Sequence, residues 1–539
     1  MKLFTRLAPA MATAHYRKLL IYISCQKVTL PVVAFLLTSL NVSAQAPDVL
    51  SWDRTVGGAG TEELRSLALT PDGGYLLGGY SNSGISGDKT STSFGGYDFW
   101  IAKVDGSGNK GWNRSYGASG DDRLQALIQT SGGGFLLGGS SNSFTSATKS
   151  SPSKGGSDYW VVKVDGNGNR TFDKSIGGAG DEQLQAVIQT SDGGFLLGGY
   201  SNTSISGDKT SGSRGWYDYW VVKLDGNGNK LWDRTFGGSS EDRLQRLVQT
   251  SDGGYLLGGY SNSGMSGEKT EPSKGGYDFW VVRVDHNGNK LWDKTIGGVL
   301  TEELRGLVQT PNGGFLLGGY STSDVSGDKT GARMGESDYW VVKLDGSANK
   351  LWDKTVGGNS GEQLQELVQA PGGGYVLGGW SVSGVSGDKT EPNKGSFDYW
   401  MVKLDDNGGR LWDRTIGGTS SDVLQSLIPG QNGGYVLGGY SNSPVLGDKS
   451  EGSKGLTDYW ITRTLEPIDP TLLPKKVWDM AFGGSNADVL QSMIQTSDGG
   501  FLLGGYSGSG ISGDKTEASK GLDDYWVVRL DRDGNKLWD

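Results

Sequence analysis

Residue types that carry out chemistry are either scarce in this chain or repeated throughout it. The 539 residues contain two histidines, His15 and His286, and one cysteine, Cys25. His286 occupies a turn position that other copies of the same segment fill with Gly, Asp or Arg. A general base needs a positioned partner, and none is indicated there. Ser-His-Asp and Cys-His arrangements cannot be assembled from these residues, and no His/Cys zinc spacing occurs. The neighbouring carboxylates Glu62-Glu63, Asp121-Asp122 and Asp181-Glu182 would suggest glycoside hydrolysis. That reaction needs two carboxyl groups facing each other across a substrate. Adjacent residues on a strand point to opposite faces, so these pairs do not meet the requirement. The Asp165-Gly-Asn167-Gly-Asn169 and Asp225-Gly-Asn227-Gly-Asn229 segments resemble the first half of a calcium loop. They lack its glycine at position six and its glutamate at position twelve. Hairpin turns are expected there, with a calcium-stabilised repeat as the alternative. No other cofactor or metal is expected, and no catalytic residue is assigned.

Two kinds of position remain. Asp98, Asp158, Asp218, Asp278, Asp338, Asp398, Asp458 and Asp524 each precede an aromatic-Trp pair, whose tryptophans are Trp100, Trp160, Trp220, Trp280, Trp340, Trp400, Trp460 and Trp526. A lysine recurs in the loop before each, from Lys89 to Lys515. A single site does not need eight copies, so these residues are expected to hold the structure, Asp by accepting loop N–H groups and Lys by pinning the loop end. Function is expected where copies differ. One strand position reads Ser66, Ala126, Ala186, Arg246, Gly306, Glu366, Ser426 and Ser492. The loop before the aromatic-Trp pair varies from Phe94 and Lys154 to Arg214, Met334 and Lys394. Trp216 and Trp380 are the tryptophans outside the repeated blocks. Trp216, Arg214, Arg246, Glu366 and Trp380 are therefore the candidate ligand-binding residues, an exposed Trp being able to stack on a flat ligand such as a sugar ring.

The elements that position them follow from the period. Trp52, Trp112, Phe172, Trp232, Trp292, Trp352 and Trp412 are 60 residues apart, and the register resumes at Trp478 after a slip of six. A fixed long period implies one supersecondary unit stacked many times. Within a unit, four short apolar runs are separated by Gly, Asp, Asn and Ser clusters. Trp220, Val222 and Leu224 alternate with Tyr219, Val221 and Lys223, and Leu244 and Val248 are expected on one face opposite Gln245 and Gln249. Asp252-Gly253-Gly254 and Asn287-Gly288 read as hairpin turns. The doubled glycines such as Gly78-Gly79 are expected on an inner strand where units converge. An all-β fold follows: a β-propeller of eight four-stranded blades, with seven blades plus an extra repeat as the alternative. The Trp-Asp strand occurs nine times and the others eight, so a terminal copy is available to close the ring. Residues 464–477, with Pro467, Pro470 and Pro474, replace one hairpin turn.

Residues 1–44 differ from the rest. Lys2, Arg6, Arg17, Lys18 and Lys27 form a basic region without acids, followed by apolar Val28–Ala44 ending in Val42-Ser43-Ala44. This pattern predicts a signal peptide, leaving residues 45–539 as a propeller with no membrane span. Cys25 leaves with the leader, so no disulfide framework is expected. The net charge of −10 becomes more negative on cleavage, which does not suit nucleic acid or anionic lipid.

The blocks Asp-Gly-Gly-Tyr-Leu-Leu-Gly-Gly-Tyr-Ser, Asp-Tyr-Trp-Val-Val-Lys-Leu-Asp and Asn-Gly-Asn-Lys-Leu-Trp-Asp resemble propeller repeats of secreted bacterial surface proteins. The resemblance covers residues 52–539 and implies export, commonly through the type IX secretion system. No C-terminal sorting domain follows the last repeat, which departs from that cargo pattern. Some relatives carry an endoglucanase label. The Gly-x-x-x-Trp spacing is similar to pyrroloquinoline-quinone-type repeats, in which the Trp docks between blades. The expected protein is a secreted or cell-surface monomer that binds a glycan or a surface protein without catalysis. A carbohydrate-active enzyme using an acid such as Glu366 is the alternative.

Overall fold

The first strand and the seventh repeat close a circle. In a computed structural model, which describes residues 50–430, 433–465 and most of 485–539, strand β1 (Leu50–Val56) pairs antiparallel with the strand Asp458–Thr464. It thereby becomes the outer strand of a sheet whose other strands are Asp422–Pro429, Tyr435–Ser441 and Asp458–Thr464. The predicted leader lies outside the described residues. The first complete blade comprises β2 (Glu62–Leu69), β3 (Tyr75–Ser81), β4 (Asp98–Val104) and β5 (Lys110–Tyr116), paired in that order from channel to rim. Five further repeats build the same sheet.

All eight expected four-stranded sheets are present, but the ring closes on seven of them, the alternative arrangement. The Pro-containing insertion 464–477 lies, beyond Leu465, outside the described residues. The seventh repeat takes its outer strand from β1, and β2 packs directly against that seventh sheet, leaving no gap in the circle. The aromatic contacts trace the circle. Phe99 packs on Trp160, Tyr159 on Trp220, Tyr219 on Trp280, Phe279 on Trp340, Tyr339 on Trp400, Tyr399 on Trp460 and Tyr459 on Trp100, with centroids 4.6–5.0 Å apart. The hydroxyl of Tyr459 donates to the carbonyl of Trp100 at 2.9 Å across the closure. These seven tryptophans are fully buried, the largest apolar side chains of the junctions. Among the described residues, the strands of the eighth sheet, ending in Asp524–Leu530 and Lys536–Trp538, pair only with one another. Its Tyr525 is 98% exposed, where Tyr459 and its ring counterparts are at 0%.

The doubled glycines lie on β3 and its equivalents, not on the inner strand. Each inner strand carries a one-residue bulge: Leu64 pairs with Gly79 and Ser66 with Gly78, leaving Arg65 extra. A Cβ on Gly79 would fall 2.0 Å from the bulged Glu63 carbonyl, and one on Gly78 3.1 Å from Leu127 of the next blade. The same bulge corrects the expected alternation. Leu244 and Leu247 share one blade junction, while Val248 packs into the next. The extra residue, Gln245, is thereby placed at the channel.

The repeated polar residues occupy the junctions. Asp98 Oδ2 accepts the amide of Phe94 and the hydroxyl of Ser93, both at 2.7 Å. Its Oδ1 has no hydrogen-bond partner and, with Asp122, crowds the space a Gly117 side chain would fill. Asp158 and Glu182 converge on Gly177 in the same way. Burial, then the neighbouring carboxylate, pushes Asp158, Asp218 and Asp278 up to about 7. Asp98, Asp338 and Asp458 are pushed up to about 6 by burial first, with a neighbouring carboxylate adding to it. Lys209 donates to Thr235 Oγ1 at 2.7 Å and lies over Trp220. Trp52 of the Trp-Asp block docks on the next blade, its indole N–H donating to the Gly106 carbonyl at 3.2 Å.

Candidate functional site

Bulge and alternation together decide what lines the channel. The inner strands start at the face that carries the long loops, so Glu63, Arg65 and Tyr80 lie at one mouth. The bulge residues Arg65, Gln125, Gln185, Gln245, Arg305, Gln365 and Gln425 form one ring in the channel. The variable position, Ser66, Ala126, Ala186, Arg246, Glu366 and Ser426, lies beside it, with Gly306 completing the set. Together they enclose a cavity of ≈430 Å3.

Two of the candidate residues meet there. Arg246 reaches across the fifth blade to the Gln365 carbonyl at 2.8 Å and to Glu366 at 3.5 Å. Gly306 lies in the blade it crosses, where any Cβ would come 2.5 Å from that of Leu367. Burial pushes the Glu366 carboxyl up, and Arg246 opposes the shift. Trp380 stands at the mouth in an edge-to-face pair with Phe397, centroids 4.9 Å apart. Other blades place Tyr80 with Tyr97, Tyr200 with Tyr217 and Tyr260 with Tyr277 at the same positions. Glu63 bonds Arg65 at 2.6 Å, whereas Glu62 is buried and accepts the Gly58 amide, so these adjacent carboxylates point apart.

Arg214 and Trp216 do not join this group. Arg214 is ion-paired with Glu268 on the next blade. Lys154 with Asp208, Lys274 with Asp328, Lys394 with Asp448 and Lys454 with Asp88 make the same contact at other junctions. Most of the variable loop position therefore clips blades together. Trp216 stands apart in the long loop, 75% exposed. Sequence reasoning missed the bulge ring. Its near-constant Gln looks like the solvated face of a strand, and only the pairing opposite Gly78-Gly79 turns it inward.

The long-loop face carries a further feature. Ile85, Phe144, Ile205, Met265, Val325, Val385 and Val445, one per blade, are 57–73% exposed. Six of them share one repeat position, and Phe144 stands one residue earlier, where Thr145 takes that position.

The Asp-x-Asn-x-Asn hairpins use their own carboxylates. Asp165 Oδ1 accepts the amides of Asn167 and Asn169, both at 2.8 Å, and Oδ2 accepts the Asn169 side-chain amide at 2.9 Å. Among the described residues no cluster of three His, Cys, Asp or Glu side chains could hold a metal. A chelator is accordingly expected to leave the melting temperature unchanged; a fall of several degrees in a thermal scan would restore the calcium alternative.

No known protein-family model matches the chain. It is 24% identical over 344 residues to the regulatory protein FlaEY of Caulobacter vibrioides, a match that covers 60% of this chain and 36% of that protein. The chain thus spans about a third of that relative's length. Similar solved structures include the Pan2 WD40 domain of Neurospora crassa, with TM-score 0.41, 11% identity and coverage of 76% of this chain and 92% of that one. Hydrazine synthase of Kuenenia stuttgartiensis gives TM-score 0.43 at 11% identity, covering 71% and 94%. A protein of unknown function from Dyadobacter fermentans gives 0.37 at 12%, covering 78% and 99%. At such scores these likenesses add nothing to the strand pairing, from which the propeller is read.

Proposed function

We propose that this chain is a secreted or cell-surface propeller that acts as a non-catalytic binding module, engaging a glycan or a surface protein through its long-loop face. The observation that carries this reading is the set of exposed apolar side chains, one per ring blade, together with the exposed Trp216. Exposed apolar surface of this kind marks an interaction face when no internal contact uses it. The regulatory role in the name of the Caulobacter relative is in keeping with binding. Export rests on the leader pattern of residues 1–44, by the type IX route that the resemblance implies. Glu366, the acid an endoglucanase reading would use, is ion-paired with Arg246.

The test is binding of purified protein to cells or cell-envelope fractions, with Ile205→Ser, Trp216→Ser and Met265→Ser combined. Loss of at least about tenfold in affinity is expected, which is the value of about 1.4 kcal/mol of lost contact. The melting temperature should not change, because these side chains are 70–75% exposed. Unchanged binding by the triple variant would refute the assignment of this face.

A further inference from the structure

We propose that the channel at blades 2 and 3 is a binding subsite for a neutral polyhydroxylated unit, the mono- or disaccharide segment of a glycan. This inference rests on the long-loop face being the binding face, and it adds the ligand's chemical class and point of entry.

Charge is the first argument. The channel arginines Arg65, Arg246 and Arg305, and Arg123 and Arg243 at the start of the inner strands, each have an acid partner. Arg65 pairs with Glu63 at 2.6 Å, Arg123 with Asp121 at 3.1 Å, Arg243 with Glu241 at 2.9 Å, Arg305 with Glu303 at 2.7 Å and Arg246 with Glu366 at 3.5 Å. An anionic ligand would meet no uncompensated cation, and a cationic ligand no uncompensated acid among these pairs. A phosphate, nucleic acid or polyuronate is thereby disfavoured.

The second argument is which polar groups remain. Arg65 bonds Gln425 at 3.1 Å and Arg305 bonds Gln245 at 3.3 Å. The side-chain amides of Gln125, Gln185 and Gln365 make no hydrogen bond with the described residues. Gln365 lies on the side filled by Arg246 and Glu366. Gln125 and Gln185 lie beside the small side chains of Ala126 and Ala186, and all four line the ≈430 Å3 cavity. That volume is at the small end of ligand pockets, about 300–1,000 Å3. An amide offers a donor and an acceptor without charge, which matches hydroxyl groups that also do both. An apolar ligand would instead strip water from both amides, at about 1–3 kcal/mol for each group left unsatisfied.

The third argument is the make-up of the aromatic collar. Six of the seven ring blades set an aromatic, Tyr or Trp, at the mouth position of Tyr80, and several add a second at the position of Tyr97. Blade 2 has Ser140 and Ser157 instead. Ser140 is itself 5% exposed, and its Oγ accepts the Leu184 amide at 3.0 Å, so the smaller side chain lies beside the inner strand that carries Gln185. The break in the aromatic collar and the free amides thus fall on the same side of the channel.

The experiment is an array of neutral, sulfated and uronic-acid glycans probed with the whole chain, followed by calorimetric titration of the strongest free disaccharide. Two variants accompany it: Gln125→Leu with Gln185→Leu, which removes the amides, and Ser140→Tyr, which restores the side chain most other blades carry. Melting temperatures verify folding, and Ser140→Tyr uses a residue the repeat already accommodates. Neutral glycans should bind, and each variant should weaken them at least about tenfold. Binding confined to acidic glycans, or unaffected by both variants, would overturn the subsite. Capture of a surface protein with no glycan bound would also overturn it while leaving the binding face intact. Binding to neither would remove both readings.

Discussion

Deleting residues 45–57 is expected to abolish the single cooperative unfolding transition of the ring, whereas ending the chain after Leu465 should leave that transition in place. β1 is the outer strand of the seventh blade. Asp53 accepts the Trp460 indole N–H at 3.2 Å and the Ser450 amide at 2.9 Å, and Thr55 accepts from Lys449. Asp53, Thr55 and Val56 are all buried. Removing Asp53 alone leaves the buried Trp460 indole N–H unsatisfied, at about 1–3 kcal/mol, and deprives the more exposed Ser450 amide of its acceptor. Removing the strand also exposes the edge of Asp458–Thr464 and uncouples the two ends of the chain, a loss on the order of a whole domain's stability, about 5–15 kcal/mol. Differential scanning calorimetry of wild type, the β1 deletion, Asp53→Ala and the shortened chain would decide the matter. If the β1 deletion melts like wild type, the ring does not depend on this closure. If the shortened chain loses the transition, the eighth sheet belongs to the ring after all.

The ring should also be more stable at pH 5 than at pH 8. At each junction a buried Asp faces a second carboxyl group, and one proton between them would satisfy the Asp Oδ1 that otherwise has no partner. The third-strand aspartates with stated values are held at about 6 to 7. Their unfolded value is near 3.9. Between roughly pH 4 and 7 the folded state therefore binds more protons than the unfolded chain, and stability falls as pH rises through that window. The buried lysines at about 8, such as Lys209 and Lys269, titrate above it. Aspartates held low by hydrogen bonds, including Asp192 at about 2, lose their contribution only at more acid pH. A melting temperature at least about 5 °C higher at pH 5 is expected, since about 1 kcal/mol is worth a few degrees. Asp218→Asn supplies the shared hydrogen permanently, by donating to Asp242 while its carbonyl oxygen keeps the loop amides. It should raise the melting temperature at pH 8 and flatten the profile. A profile that is flat or rises from pH 5 to 8 would contradict the shared proton.

Much of this architecture was legible as text. The 60-residue period, the alternation of Trp220, Val222 and Leu224, and the turn chemistry of Asp252-Gly253-Gly254 are local properties, and they specify four-stranded units. The ninth Trp-Asp segment showed that one strand was left over to close a ring. The recurrence of Asp98 and Trp100 through eight copies marked them as shared structure, because a residue required at every junction must be repeated at every junction. The same logic singled out the variable position of Ser66, Arg246 and Glu366, which the fold places in the channel.

Tertiary structure alone decided the rest, because each such fact depends on groups far apart in sequence. Whether the circle takes seven or eight sheets depends on which edge β1 meets, and that edge lies seven repeats away. Arg214 is a clip because Glu268 of the following blade is within reach. The most consequential case is the bulge. A one-residue insertion opposite Gly78-Gly79 reverses the facing of the residues beyond it, so Gln125 and Gln185 line the channel instead of a solvated face. Period-two patterning encodes which residues alternate, but the phase of that alternation is set by the partner strand, where a glycine leaves room for the extra residue.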